Sequence, residues 1–175
     1  VKYLAISGAE VNLCTKDGRT PLSVACQNGH KNIVKFLEVF LDLNRNTAEV
    51  KSSHLNRPDK YGFTPLYVAC QNGHEDTVKY LVKSGADINR CTKNGYTPLH
   101  VACQKGHKNI VEYLHHQGAD INQADVNGFT PLRFASFNGH EKIVEYLVKS
   151  GAEINRADKN GFTPLYVASQ KGHEE

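Results

Sequence analysis

The chain has 175 residues, room for one ordinary domain or one short array of repeats. Its 21 Lys and Arg against 18 Asp and Glu leave a net charge of +3, too small a surplus to signal a nucleic-acid binder. No run of about 20 apolar residues is present to span a membrane, and no charged-then-apolar leader opens the chain.

The five cysteines are odd in number and form no Cys-x-x-Cys pair, which argues against a disulfide framework or a zinc knuckle. They point to a reducing, intracellular setting, read as cytoplasmic. The chain begins at Val1 and contains no Met, so it reads as a piece of a longer protein.

In chain order, Val1 to Asn12 comes first and closes on Gly8-Ala9-Glu10-Val11-Asn12, an element that returns as Gly85-Ala86-Asp87-Ile88-Asn89. A Thr-Pro-Leu triplet then recurs at Thr20, Thr64, Thr97, Thr130 and Thr163. The last three steps are each 33 residues, and the first is 44, longer by 11. Around the triplet a 13-residue text repeats from Gly18 to His30, Gly62 to His74, Gly95 to His107, Gly128 to His140 and Gly161 to His173. A fixed period in this range marks stacked repeats that cannot bury their apolar faces alone.

Each unit has a physical reading. The Thr is an N-cap whose hydroxyl accepts from a free backbone N–H, and Pro follows at the first helical position, where no N–H is needed. A helix of about two turns runs from Leu66 to Asn72, and Gly73 breaks it. A second helix is expected from about Glu75 to Ser84, with Val78, Leu81 and Val82 at helical spacing and Glu75 and Lys79 at i, i+4. Gly85 closes it as a left-handed cap. The residues from Asp87 to Gly95 include Asn-Gly and read as an extended turn or hairpin.

The insertion between Leu37 and Leu55 breaks the pattern. Phe40, Leu41 and Leu43 predict about one further turn of the second helix. Asn44 is then the expected left-handed cap, and Asn46 to His54 a surface loop.

The period, the Thr-Pro-Leu-x-x-Ala and Gly-His elements and the Gly-Ala-Asp-Ile-Asn element resemble the ankyrin repeat over essentially the whole chain. The resemblance implies an all-α solenoid of helix-turn-helix units joined by β-hairpin-like loops. Residues 1–175 are then a single array: a partial repeat at 1–14, a repeat with an 11-residue insertion at 15–58, repeats at 59–91, 92–124 and 125–157, and a partial repeat at 158–175. Neither end shows a polar capping repeat. The fourth motif position, usually His in the family, is His only at His100; Ser23, Tyr67, Arg133 and Tyr166 stand there otherwise, which puts the bond that His makes in doubt in those copies.

The residues that invite a chemical reading are absorbed by the period. Cys26, Cys70 and Cys103 occupy one equivalent first-helix position, and stacked helices about 8–10 Å apart are too distant for a disulfide. They are expected to be small buried packing residues, with Cys14 and Cys91 in exposed hairpins. His30, His74, His107, His140 and His173 each follow the inter-helix Gly, too far apart to share a metal ion, and are expected to hold the start of each second helix. His115-His116 reads as solvated surface. No phosphate loop, His-Glu-x-x-His or nucleophile elbow appears, so no catalytic residue, cofactor, metal or small-molecule ligand is expected. Asn12, Asn89, Asn122 and Asn155 are expected to bond within the hairpins; in ankyrin repeats this Asn is also a hydroxylation target.

The resemblance places a protein partner on the concave face made by hairpin tips and first helices. Carried onto this chain, the hairpin positions are Lys60, Tyr61 and Phe63; Lys93, Asn94 and Tyr96; Val126, Asn127 and Phe129; and Lys159, Asn160 and Phe162. The helix positions are Gln71 and Asn72, Gln104 and Lys105, Phe137 and Asn138, and Gln170 and Lys171. Phe63, Tyr96, Phe129 and Phe162 are either interface anchors or rings packed under the neighbouring hairpin. The lysines favour a partner of acidic or mixed charge, with no nucleic acid and no membrane insertion. Phe137, where the other four copies have Gln, is the expected hot spot. The leading expectation is a non-catalytic scaffold or adaptor; the alternative is a targeting arm of a kinase, ubiquitin ligase or ion channel.

Overall fold

The computed structural model, which describes residues 1–43 and 54–173, starts a helix at each Thr-Pro-Leu triplet. After α1 (Lys2–Ile6), these first helices are α2 (Pro21–Gln27), α4 (Pro65–Gln71), α6 (Pro98–Lys105), α8 (Pro131–Phe137) and α10 (Pro164–Lys171). The second helices are α3 (Lys31–Leu43), α5 (Glu75–Lys83), α7 (Lys108–His116) and α9 (Glu141–Lys149). Among the described residues there is no strand. Every capping Thr accepts from the backbone N–H three residues on, from Ser23 in α2 through Tyr166 in α10.

Each second helix packs on its own first helix, and like stacks on like: α2, α4, α6, α8 and α10 form an inner row, and α3, α5, α7 and α9 an outer row. The shared core lies between the rows. Its buried residues include Leu66, Leu81, Leu99, Leu114, Leu132 and Leu147, with Ala69, Ala102 and Ala135 where first helices meet. Together these make the all-α stacked layout expected of a solenoid.

The turns between units are fastened twice. Within a turn, Asp59 accepts at Oδ1 from the N–H groups of Tyr61 and Phe63 at 2.9 and 3.0 Å. Asp125 and Asp158 repeat the arrangement, and Thr92 uses its hydroxyl on Tyr96. Between turns, the N–H groups of Lys60, Lys93, Val126 and Lys159 donate to the carbonyls of Asp17, Tyr61, Asn94 and Asn127 at 2.9, 3.4, 3.1 and 3.0 Å. This close approach explains Gly62: its φ is +89°, and a Cβ there would sit 2.8 Å from the Lys93 nitrogen.

A second ladder runs along the loops that follow the outer helices. Asn89 accepts from Asp120 N–H at 3.1 Å and donates to the Gly118 carbonyl at 3.3 Å; Asn122 does the same to Glu153 and Gly151. Asn56 supplies the same bond to Asp87 N–H at 2.7 Å.

The enlarged unit differs in its outer helix. At 13 residues, α3 is about one turn longer than the nine-residue α5, α7 and α9, as the apolar residues predicted. Glu38, near the end of the part α3 shares with the other outer helices, is buried, and there the Tyr80 hydroxyl donates to it and Ser84 Oγ donates at 3.2 Å. The expected cap at Asn44 and the loop residues 46–53 lie outside the described residues. His54, expected in a surface loop, is instead buried at 4% exposure. The chain re-enters the core at the fully buried Leu55, which carries the adjacent ring to within 3.8 Å of Asp42 on the added turn.

Candidate interaction face

The inner row and its turn tips form one continuous strip, and its joints are polar. His74, His107, His140 and His173 reach back across the unit boundary. Their Nε2 atoms lie 2.9, 3.4, 3.1 and 3.2 Å from the carbonyls of Gln27, Gln71, Gln104 and Phe137, at the ends of the preceding first helices. A carbonyl only accepts, so Nε2 carries the proton. These rings were expected to hold the start of each second helix, yet His74, His107 and His140 make no side-chain cap bond there. Their work is to satisfy otherwise free carbonyls of the neighbouring unit. The preceding glycines follow from this contact. At Gly73, with φ +74°, a Cβ would fall 2.6 Å from Cε1 of His107.

The fourth motif position varies because one structural task is met by several chemistries. His100 accepts at Nδ1 from Thr97 N–H at 3.1 Å, and its Nε2–H donates to the Phe129 carbonyl at 3.0 Å, joining two units. Burial holds the His100 imidazole below its ordinary pKa. Ser23 keeps the local half, its hydroxyl accepting from Thr20 N–H. Tyr67 and Tyr166 stack on Phe63 and Phe162 with centroids 4.8 and 4.5 Å apart.

Arg133 gives its Nε–H to Asp158 at 3.1 Å and lays its guanidinium 3.6 Å from the Phe129 centroid. Burial pushes the Asp158 carboxyl up, but the N–H groups of Phe162 and Asn160 and the Arg133 guanidinium outweigh it and hold it below the usual range. The bond in doubt is thus replaced by stacking or by an ion pair that again crosses to the next unit.

The aromatic series is half-buried at Phe63, Tyr96, Phe129 and Phe162. Tyr96 and Phe129 meet Phe134 edge-on at 5.4 and 5.8 Å. Each ring is therefore partly packed on protein and partly exposed.

The remaining expected contact residues are presented outward. Lys60, Tyr61, Asn72, Lys93, Asn94, Gln104, Lys105, Val126, Asn127, Asn138, Lys159, Asn160, Gln170 and Lys171 are exposed, while Gln71 and Phe137 are half-buried. Asn72 and Asn138 donate to the Val68 and Phe134 carbonyls of their own helices, both at 2.8 Å. Lys60 pairs with Asp17, and this bond holds the Asp17 carboxyl below its ordinary range. Lys171 Nζ lies 4.4 Å from the Phe137 centroid, and the Arg133 guanidinium 5.7 Å from it.

The cysteines divide as expected: Cys26, Cys70 and Cys103 are buried, and Cys14 and Cys91 exposed. Burial pushes the three interior thiols far up, which leaves them protonated and inert. Arg57, which sequence reading passed over, donates to Asn12 O at 3.3 Å and approaches Cys14 Sγ at 3.6 Å. Among the described residues, no group of three or more His, Cys, Asp or Glu is arranged to hold a metal ion, and no helix is long and apolar enough to cross a membrane.

Two stacked helical rows with tied turn tips define a repeat solenoid of the interaction class. A family model described as ankyrin repeats (3 copies) matches residues 1–92, 48–125, 85–158 and 123–175, windows that together take in the whole chain. The chain belongs to the ankyrin repeat family. Ankyrin repeats are in general non-catalytic modules that bind protein partners. A search among curated proteins finds no match.

Proposed function

We propose that this array is a scaffold or adaptor segment that binds a protein partner along the strip of turn tips and first-helix ends. The observation that carries this reading is that the strip is rigid in its backbone yet open in its side chains. Its turns are bonded to one another, while Lys93, Asn94, Val126, Asn127 and Lys159 point out from them. A preorganised backbone reduces the ordering cost of association. The units that supply the strip are taken as 15–58, 59–91, 92–124, 125–157 and 158–175. All five cysteines are free thiols, which goes with a reducing, cytoplasmic setting.

A photo-crosslinking residue at position 138 or 149 tests the reading in cells, comparing the strip with the outer row. Recurrent crosslinks to one protein are expected at 138 and not at 149; the reverse pattern overturns the reading. Phe137→Ala should weaken that complex by about 1–3 kcal/mol, measured by calorimetry with the crosslinked partner, and an unchanged affinity removes Phe137 as an anchor.

A further inference from the structure

The two rows differ in charge. The inner segments 16–28, 60–72, 93–105, 126–138 and 159–171 contain eight Lys and Arg and a single acid, Asp17. The outer helices balance Lys against Asp and Glu, two against two in α3, α5 and α9 and one against one in α7. Three of their lysines pair within a helix, as Lys79–Glu75, Lys108–Glu112 and Lys149–Glu145, and Lys31 pairs with Asp76 of the next outer helix. The carboxylates at the foot of the inner turns, Asp59, Asp125 and Asp158, are buried, and their Oδ1 atoms are taken by backbone N–H groups. Among the described residues, Lys93, Lys105 and Lys159 have no ion pair.

The strip also carries an apolar contact. Phe137 is half-buried in the middle of the last cations, with Lys171 over its ring and the Arg133 guanidinium beside it. The faces of Phe63 and Phe162 are filled by Tyr67 and Tyr166 at interplanar angles of 0° and 4°. The exposed rings on the strip, Tyr61 and Tyr166, lie three units apart and do not form the run of adjacent platforms on which successive bases of a single strand stack, so the cations suit carboxylates instead.

Resting on the strip as the docking face, we propose that its partner is an extended acidic segment of a protein, with carboxylates spaced to the units and an apolar side chain against Phe137. The spacing follows from geometry. Stacked helices advance about 8–10 Å per unit, and an extended chain about 3.3 Å per residue, so roughly every third residue of the ligand meets a new unit. Its carboxylates meet Lys93 and Lys105 on one unit and, about six residues on, Lys159 and Lys171 two units further, with the apolar side chain between them at Phe137, and long-range attraction speeds the encounter.

The probe is a synthetic fluorescein-labelled peptide with a glutamate at every third position and one central phenylalanine, titrated by anisotropy against the full chain. Saturable binding is expected, weakened at least tenfold by the double variant K105E/K171E and by raising salt from about 50 to about 500 mM. The outer-row control K79E/K149E should leave it within twofold. Thermal unfolding of each variant confirms that the fold persists, and the single exposed change K105E, expected to cost threefold or more, serves should the double variant unfold. No saturable binding, equal loss from inner and outer reversals, or tighter binding of an oligothymidylate overturns the acidic-segment assignment. If the position-138 crosslinks persist while the peptide fails, only the acidic chemistry falls; if the crosslinks move to position 149, the docking face itself falls.

Discussion

The inner and outer rows are built from helices of similar length, yet they are held and finished differently. Outer helices share a leucine-rich core with the inner row, pair surface charges along their own length, and touch one another through side chains, as Tyr80 with Glu38 and His115 with Tyr146. Inner helices are joined by directed polar contacts: histidine to carbonyl, turn to turn, Arg133 to Asp158. Apolar stacking is non-directional and tolerates exchange of like for like. Directed bonds fix the position of each unit relative to the next and so set the geometry of the surface they carry. The outer helices balance cations against acids, whereas the inner strip carries a surplus of cations, Lys93, Lys105 and Lys159 among them.

Substitutions divide accordingly. The largest effect is expected in the core between the rows: Leu114→Ala removes a fully buried side chain from α7 and should cost about 2–5 kcal/mol in urea unfolding. A loss below about 1 kcal/mol would break the view of that core as the main source of cohesion. An inner joint should respond less and through geometry. Gly73→Ala meets left-handed strain of about 1–2 kcal/mol and also displaces His107, whereas Gly85→Ala, at φ +95° with nothing within 4 Å of the added methyl, meets the strain alone. Gly73→Ala should therefore be the worse of the two by roughly 1 kcal/mol, the worth of the displaced bond. Equal losses would show that the His107 contact carries no stability.

His100 gives a joint that responds to pH. Its folded pKa is depressed by burial, so the neutral ring is the stabilising form. That contribution is full above the unfolded value of about 6.5 and is lost as pH falls from there toward the folded value. His100→Gln should cost about 1 kcal/mol at pH 7.5, and its deficit against the parent chain should shrink by pH 5.5. A gap that widens in acid would contradict the assigned protonation. The smallest effect belongs to the outer surface, where Glu75→Gln removes an i, i+4 pair with Lys79 and should change stability by no more than about 0.5 kcal/mol.

Much of this was legible in the residues. The Thr-Pro-Leu caps, the break at Gly73 and the extra turn of α3 follow from local chemistry, so they could be read directly. The reach of the histidines could not, because the accepting carbonyl lies in another unit. Asn56 was missed, although it stands three residues before Asp59 as Asn89 stands three before Thr92; the insertion hid the alignment. The positive strip was visible as lysines, but the loss of Lys60 to Asp17 depends on two turns coming together.

By itself the sequence determined the period, the helices and their caps, and the family they make, because each rests on interactions within a few residues. Only the tertiary structure decided which way each Gly-His histidine points, what stands in for the His100 bond at Tyr67 and Arg133, why His54 is buried, and which charges remain open on the inner strip. Those outcomes depend on groups brought together from neighbouring units, whose positions no local rule supplies.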